Sequence, residues 1–248
     1  MMRWAAAALA GMGVLFAMLI VSPLSAPSAV AQDVPALIYK KLTTPSGDVH
    51  FVSMDPAKFR FEAVYTNPPQ SVQARHADSK AILTVNGGYW AEDYTPTDLL
   101  VTDGKIVKSE NKLTRFKGLF FVKGGMAGLR DLARKPLKDG EAEAFEQAVK
   151  CGPAIVRDGR PVAYKSTKRH RRTIIGEDVA GRIFFLVSDS AWLTYGDAAK
   201  IATAAPVNAS FAFNLDGGSS TGLVIDWRDV HAREISVPVG SHIEVFEK

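Results

Sequence analysis

Two short apolar runs in this chain end the same way, and together they limit the folds it can adopt. Phe211-Ala212-Phe213-Asn214-Leu215 leads into Asp216-Gly217-Gly218-Ser219-Ser220-Thr221-Gly222, and Ile82-Leu83-Thr84-Val85 leads into Asn86-Gly87-Gly88-Tyr89-Trp90. Each is an aromatic or β-branched run too short for a helix that stops on one polar side chain and two glycines, so each reads as a strand delivering a functional group into a sharp turn. Two strand ends of one design predict one shared site. An Asp-Gly pair alone is also an ordinary hairpin signal, and a plain turn is the alternative reading at Asp216.

The rest of the chain follows the same punctuation. Leu37 to Tyr65 reads as strand, turn, strand, turn, strand, with Pro45-Ser46-Gly47-Asp48 and Asp55-Pro56 at the turns. Thr102-Asp103-Gly104 marks a hairpin, Leu119 to Val122 a strand, and Ala154 to Val156 a strand running into Asp158-Gly159. Ile183 to Val187 ends on Ser188-Asp189, and Leu223 to Ile225, Ile235 to Val237 and Ile243 to Phe246 complete a sheet. Three helices are predicted: Ser71 to Lys80, Gly140 to Lys150, and Tyr195 to Ala205, the last with Thr194 and Asp197 at capping-box spacing. The expected fold is α+β, a mixed, largely antiparallel sheet core with a few flanking helices in a single domain.

Residues 1–31 have the form of a secretory leader: Arg3, an apolar stretch from Ala5 to Val21, and the small-x-small Ala29-Val30-Ala31. Cleavage there leaves a domain over residues 32–248, periplasmic or secreted, that meets a membrane only through the transient signal segment. The single cysteine, Cys151, excludes an intramolecular disulfide and reads as a buried structural thiol. A formal net charge of +4 is too mild to indicate nucleic-acid binding. Lys165 to Arg172 is the densest basic run, read as a solvated loop except at Arg172, which abuts the β-prone Thr173-Ile174-Ile175-Gly176 and so holds a fork of donors on a strand. The five histidines are scattered, His50 reads as structural, and no Asp-x-Asp spacing supports a metal; no cofactor or metal is expected. No feature sets an oligomeric state.

Asn86-Gly87-Gly88-Tyr89-Trp90, Cys151-Gly152-Pro153-Ala154, Arg172-Thr173-Ile174-Ile175-Gly176 and Asn214-Leu215-Asp216-Gly217-Gly218-Ser219-Ser220, in that order, resemble the phosphodiester glycosidase family, which includes the lysosomal uncovering enzyme. The resemblance implies an exported hydrolase acting where a sugar's anomeric carbon is bonded to phosphate. Its substrate is a sugar phosphate or an envelope glycan, with no need of a cofactor.

Such chemistry needs phosphate recognition and a carboxylate near the anomeric carbon more than a strong acid, because phosphate leaves readily. Asp216 is the expected carboxylate, as nucleophile, base or stabiliser, with Asn86 on the sugar or the leaving oxygen. Asp189 or Glu92 is the second carboxylate. Arg172, Thr173 and the N–H groups of Gly217 and Gly218 are assigned to phosphate, Trp90 to the sugar face, and Gly87, Gly88, Asn214, Ser219 and Ser220 to shaping the pocket. The competing reading is a non-catalytic envelope protein that binds polysaccharide or peptidoglycan through the same residues.

Overall fold

Turn chemistry sets the strand pairing. The computed structural model describes Met1 and residues 34–248; the predicted leader lies outside the described residues. In chain order the elements are β1 (Leu37–Thr44), β2 (Gly47–Met54), β3 (Phe59–Gln70), α1 (Val72–Asp78), β4 (Leu83–Asn86), β5 (Leu100–Thr102), β6 (Lys105–Lys108), β7 (Gly118–Lys123), β8 (Met126–Asp131), β9 (Gln147–Cys151), β10 (Ala154–Arg157), β11 (Arg160–Pro161), β12 (Thr173–Asp178), β13 (Ile183–Ser188), α2 (Tyr195–Thr203), β14 (Ala209–Asn214), β15 (Leu223–Trp227), β16 (Val230–Glu234) and β17 (Val239–Glu247). The β5–β6 turn places Asp103 at φ 48° and Gly104 at 71°, and the β10–β11 turn repeats this at Asp158 and Gly159, the left-handed pair that two-residue hairpins require.

The strands form three sheets, and the described pairings are antiparallel. A seven-stranded sheet runs β1-β2-β13-β12-β14-β10-β11, and two five-stranded sheets run β16-β15-β4-β17-β3 and β6-β5-β9-β7-β8. Alternation along β12 shows how the layers stack. Ile175 faces a core shared by all three sheets, with Phe185, Phe213, Val85, Ile243, Phe120 and Val149, while its neighbour Ile174 faces a second core closed by Ala198, Ala199 and Ala202 of α2. The seven-stranded sheet is thus covered on both faces, which explains why β13 is buried along its whole length. Helix α2 carries the predicted capping box, Thr194 with Asp197, and α1 starts on a Ser71 side chain that accepts from Ala74 N.

Two predicted elements are corrected. The helix expected over Gly140 to Lys150 is a short 3-10 turn, Glu141–Ala144, followed by β9. Ala142, Phe145, Ala148 and Val149 do sit at helical spacing, but Gln147–Cys151 is an inner strand paired with β5 and β7 and buried on both faces, Val149 and Cys151 in the shared core and Ala148 in a third cluster with Leu99 and Phe145, and a strand covered on both sides has no period to read. Ile235 to Val237 is not a strand. It links β16 to β17 and is pinned by Val237 N–H donating to Ser219 O at 3.0 Å and by Ser236 Oγ accepting from Val72 N at 2.9 Å.

Candidate active site

The two glycine-terminated strands meet although they belong to different sheets. Asp216 N donates to Gly87 O at 3.2 Å, and Asn86 Nδ2 donates to Asp216 O at 2.8 Å. Thr173 Oγ1 donates to Asn86 Oδ1 at 2.6 Å, Leu215 N to Thr173 O at 2.8 Å, and Gly152 N to Asn214 O at 2.8 Å. The four motifs singled out in the sequence therefore close on one another.

Their chemistry is unequal. Asn86 is fully buried: its Oδ1 accepts from both Thr173 Oγ1 and Gly222 N while its amide holds the Asp216 carbonyl, so it works as a strut between sheets. Gly87 and Gly88 serve close packing. A Cβ on Gly87 would lie 2.6 Å from Ser241 Oγ and one on Gly88 3.0 Å from Val149. Gly217 and Gly218 have spent the donors assigned to phosphate: Gly217 N donates to Asp216 Oδ1 at 2.8 Å and Gly218 N to Arg171 O at 2.9 Å. Ser219 is exposed and its carbonyl accepts from Val237, whereas Ser220 is buried beside the carboxylate.

Asp216 itself is half-buried and has no cationic side chain within ion-pair distance among the described residues. Burial pushes its carboxyl above the usual range, opposed by the Ser220 hydroxyl, the Gly217 N–H and the Trp90 indole. The buried Trp90 Nε1 makes no hydrogen bond, yet the indole N–H lies near enough to the carboxylate to favour its charged form. A carboxyl raised in this way and kept from cations suits proton transfer.

Arg172 is the second unusual group. It is 6% exposed, yet no carboxylate pairs with it among the described residues. Its Nε donates to Leu193 O at 3.2 Å and its guanidinium carbon sits 4.0 Å over the Tyr195 ring. A buried, unmatched guanidinium is costly unless an anion completes it. Tyr195 continues the site: it packs 5.1 Å from Tyr164 and lies close enough to Tyr89 to act on its phenol. Tyr89 donates to Gly152 O at 2.8 Å, accepts from Asn214 Nδ2 at 2.8 Å and stacks on Phe116 at 4.3 Å and 7°. Burial raises its pKa beyond the ordinary phenol range, so it stays protonated. Trp90 stacks on Tyr94 at 4.7 Å. The sequence pointed to Trp90 but did not single out Tyr94, Phe116, Tyr164 and Tyr195, which come from separate loops or element ends and share no spacing.

Neither candidate for the second carboxylate joins Asp216. Asp189 makes an ion pair of 2.5 Å with Lys41 and lies 4.0 Å from His50; the hydrogen bond from Lys41 is the main reason its carboxyl is lowered. Glu92 lies in an exposed turn. His50 is structural in the sense expected, with Tyr39 Oη 2.9 Å from Nδ1 and Glu234 Oε1 3.1 Å from Nε2. His50, Asp189 and Glu234 bring ligand atoms within 4.8 Å of one another, a spacing that fits a cation. However, Lys41 already neutralises Asp189, and Arg171 already neutralises Glu234 at 3.0 Å.

A family model described as phosphodiester glycosidase matches residues 79–246, more than half of the chain, and this span holds all the converging motifs. The chain belongs to the phosphodiester glycosidase family. That membership carries hydrolase chemistry of the glycosidase type, while no curated protein matches the chain.

The fold is shared with solved structures. The catalytic domain of zebrafish N-acetylglucosamine-1-phosphodiester alpha-N-acetylglucosaminidase, described as auto-inhibited by its pro-peptide, matches with a TM-score of 0.63 at 16% identity, covering 88% of this chain and 85% of that one. A hypothetical protein of Synechocystis matches at 0.55 and 17% identity, over 85% of this chain and 61% of that one. A Burkholderia pseudomallei protein described as exported matches at 0.52 and 12% identity, over 80% and 73%. At these identities the likeness is one of fold. No helix among the described residues is long and apolar enough to cross a membrane.

Proposed function

We propose that this phosphodiester glycosidase is an exported enzyme that hydrolyses the bond between a sugar's anomeric carbon and a phosphodiester in a cell-envelope glycoconjugate. The observation that carries the reading is the pairing of a buried, unmatched Arg172 with a burial-raised Asp216 on adjoining backbone, Gly217 packing against Arg171 and Arg172 and Gly218 N donating to Arg171 O at 2.9 Å. Arg172 holds the phosphate, its free guanidinium edge aimed at two oxygens and its face fixed on Tyr195. Trp90 offers an indole to the sugar. Asp216 takes the proton from a water that attacks the anomeric carbon. As the carbon–oxygen bond breaks, its electron pair leaves with the phosphate, which is stabilised by Arg172 and needs no protonation to depart. Free sugar and a phosphate monoester are the products. Asn86 keeps the Asp216 backbone in place for this step. The exported setting rests on the leader-like residues 1–31 and on the description of the Burkholderia relative.

The zebrafish relative's own name makes an N-acetylglucosaminyl 1-phosphodiester the first substrate to try. Sugar release by the purified protein, lost in Asp216→Asn and cut by about 10- to 100-fold in Arg172→Ala, is the expected result. Arg172→Lys is not expected to rescue, because an ammonium cannot both stack on Tyr195 and fork onto two oxygens. Full hydrolysis by Asp216→Asn and Arg172→Ala would overturn the assignment. Glycan binding by parent and variant alike, without turnover, would leave a binding protein in its place.

A further inference from the structure

The basic run between Tyr164 and Arg172 is fastened to the site at both ends. At the start, the Tyr164 phenol donates to Ala154 O at 2.6 Å while its ring packs on Tyr195. At the end, His170 bridges Leu193, whose carbonyl holds Arg172, and the Arg171 carbonyl accepts from Gly218 N. The loop is therefore a rim beside Arg172 and Asp216, held by groups that already belong to the site.

Its charges divide into two sets. Arg169 is matched by Asp197 at 3.0 Å and Arg171 by Glu234 at 3.0 Å. Lys165 and Lys168 are exposed and form no ion pair among the described residues. Trp192, 57% exposed, is tied to the same loop, its carbonyl accepting from Arg169 Nη1 at 3.0 Å. A large indole left in water and tied to a loop that carries unmatched ammonium groups offers a sugar-stacking surface, and the loop offers an anion-binding one. A substrate with a single phosphate is satisfied by Arg172 alone and gives Lys165, Lys168 and Trp192 nothing to do.

We infer that the rim of Lys165, Lys168 and Trp192 binds the portion of the substrate beyond the scissile bond, and that this portion is a glycan chain carrying further phosphodiesters. The inference rests on the reading of Arg172 and Asp216 as a glycosyl phosphodiester site, and it narrows the substrate class from small sugar phosphates to polyanionic, phosphodiester-linked glycans.

The test compares a synthetic trimer of N-acetylglucosaminyl phosphodiester units with the single unit. Hydrolysis is followed in the parent protein, and binding is followed by calorimetry in Asp216→Asn, where turnover does not interfere. The trimer is expected to bind about tenfold more tightly than the single unit. Two phosphate contacts should make that advantage fall about sevenfold over a roughly fourfold rise in salt. Lys165→Gln with Lys168→Gln should remove the trimer advantage and leave single-unit hydrolysis unchanged, and Trp192→Ala should reduce the trimer advantage without altering its salt dependence. These lysines are on the surface, so folding is not at stake. Equal handling of trimer and single unit, or a trimer advantage indifferent to both lysines, would overturn the inference. So would lysine-dependent binding to vesicles containing anionic phosphatidylglycerol with no preference for the trimer, which would make the rim a membrane contact. If neither compound is hydrolysed but the lysine-dependent trimer preference persists in binding, the rim stands and the hydrolytic reading falls.

Discussion

Asn86-Gly87-Gly88 and Asp216-Gly217-Gly218 have the same grammar and opposite employment. Both end a buried strand and both put a polar side chain before two glycines, and they touch each other through Asp216 N and Gly87 O. Yet the first is a fastening. Asn86 is fully buried with its amide committed, and its glycines are there because Ser241 and Val149 approach too closely for a side chain. The second is a presentation. Gly218 has φ +65° with nothing within 4 Å of a Cβ, so it serves to bend the chain, and the bend leaves the Asp216 carboxyl half-buried and free of cations. One amide tied down leaves one carboxyl half-buried and without a counter-charge.

The strongest way to break this contrast is Asp216→Asn. Sugar release should fall by about 10³-fold while the fold survives. Stability should move the other way. Burial raises the folded-state pKa of Asp216, so its contribution to stability is fully present below the ordinary carboxylate pKa of the unfolded chain and is lost as pH rises through the raised value. An asparagine does not titrate, so the variant should melt higher than the parent at neutral pH, with the gap closing in acid. A variant that melts lower at neutral pH would show that Asp216 is structural. In the parent, activity that needs an ionised base should fall as pH drops through an apparent pKa above the ordinary value of about 3.9.

Asn86→Ala should do the converse, costing about 2–4 kcal/mol of stability because it strands the Thr173 hydroxyl, the Gly222 N–H and the Asp216 carbonyl. Denaturant titration checks this; unchanged stability with lost activity would mean that Asn86 contacts substrate after all. The glycines sharpen the comparison further. Gly87→Ala meets Ser241 and should cost about 1–3 kcal/mol, whereas Gly218→Ala meets nothing and should cost about 1 kcal/mol for its left-handed backbone. Equal costs would erase the distinction between packing and bending. The smallest effect belongs to Asp189→Asn. Its carboxylate is matched by the solvent-exposed Lys41, so stability should barely move and activity should change by less than about threefold. A loss near that of Asp216→Asn would make Asp189 the second carboxylate.

How far the chain could be read without its fold differs by element. Hairpins were legible because Asp-Gly at positions 103–104 and 158–159 encodes its own backbone angles, and α2 was legible because Thr194 and Asp197 cap it locally. β9 was not, because burial on both faces, Val149 and Cys151 in the shared core and Ala148 in the cluster with Leu99, Leu119 and Phe145, removes the alternation that marks a strand. Within the candidate site, the polar residue before each glycine pair stood out at once and Asp216 was the expected carboxylate, but that Asn86 would be saturated by Thr173 and Gly222 was not legible.

The sequence by itself determined most of the strands, the Asp-Gly hairpin turns, the α2 cap and the family, since each is carried by short runs of adjacent residues. The tertiary structure alone decided the rest. Asn86 became a strut because Thr173 and Gly222 arrive from distant strands to saturate it, and the Gly217 and Gly218 donors were spent locally on Asp216 and Arg171. Asp189 was disarmed by Lys41 from the edge strand β1, two strands away, while Arg172 was stacked on Tyr195 and left without a counter-charge. A side chain's chemistry is set by its solvation and its nearest charges, and in an antiparallel protein those neighbours come from anywhere in the chain.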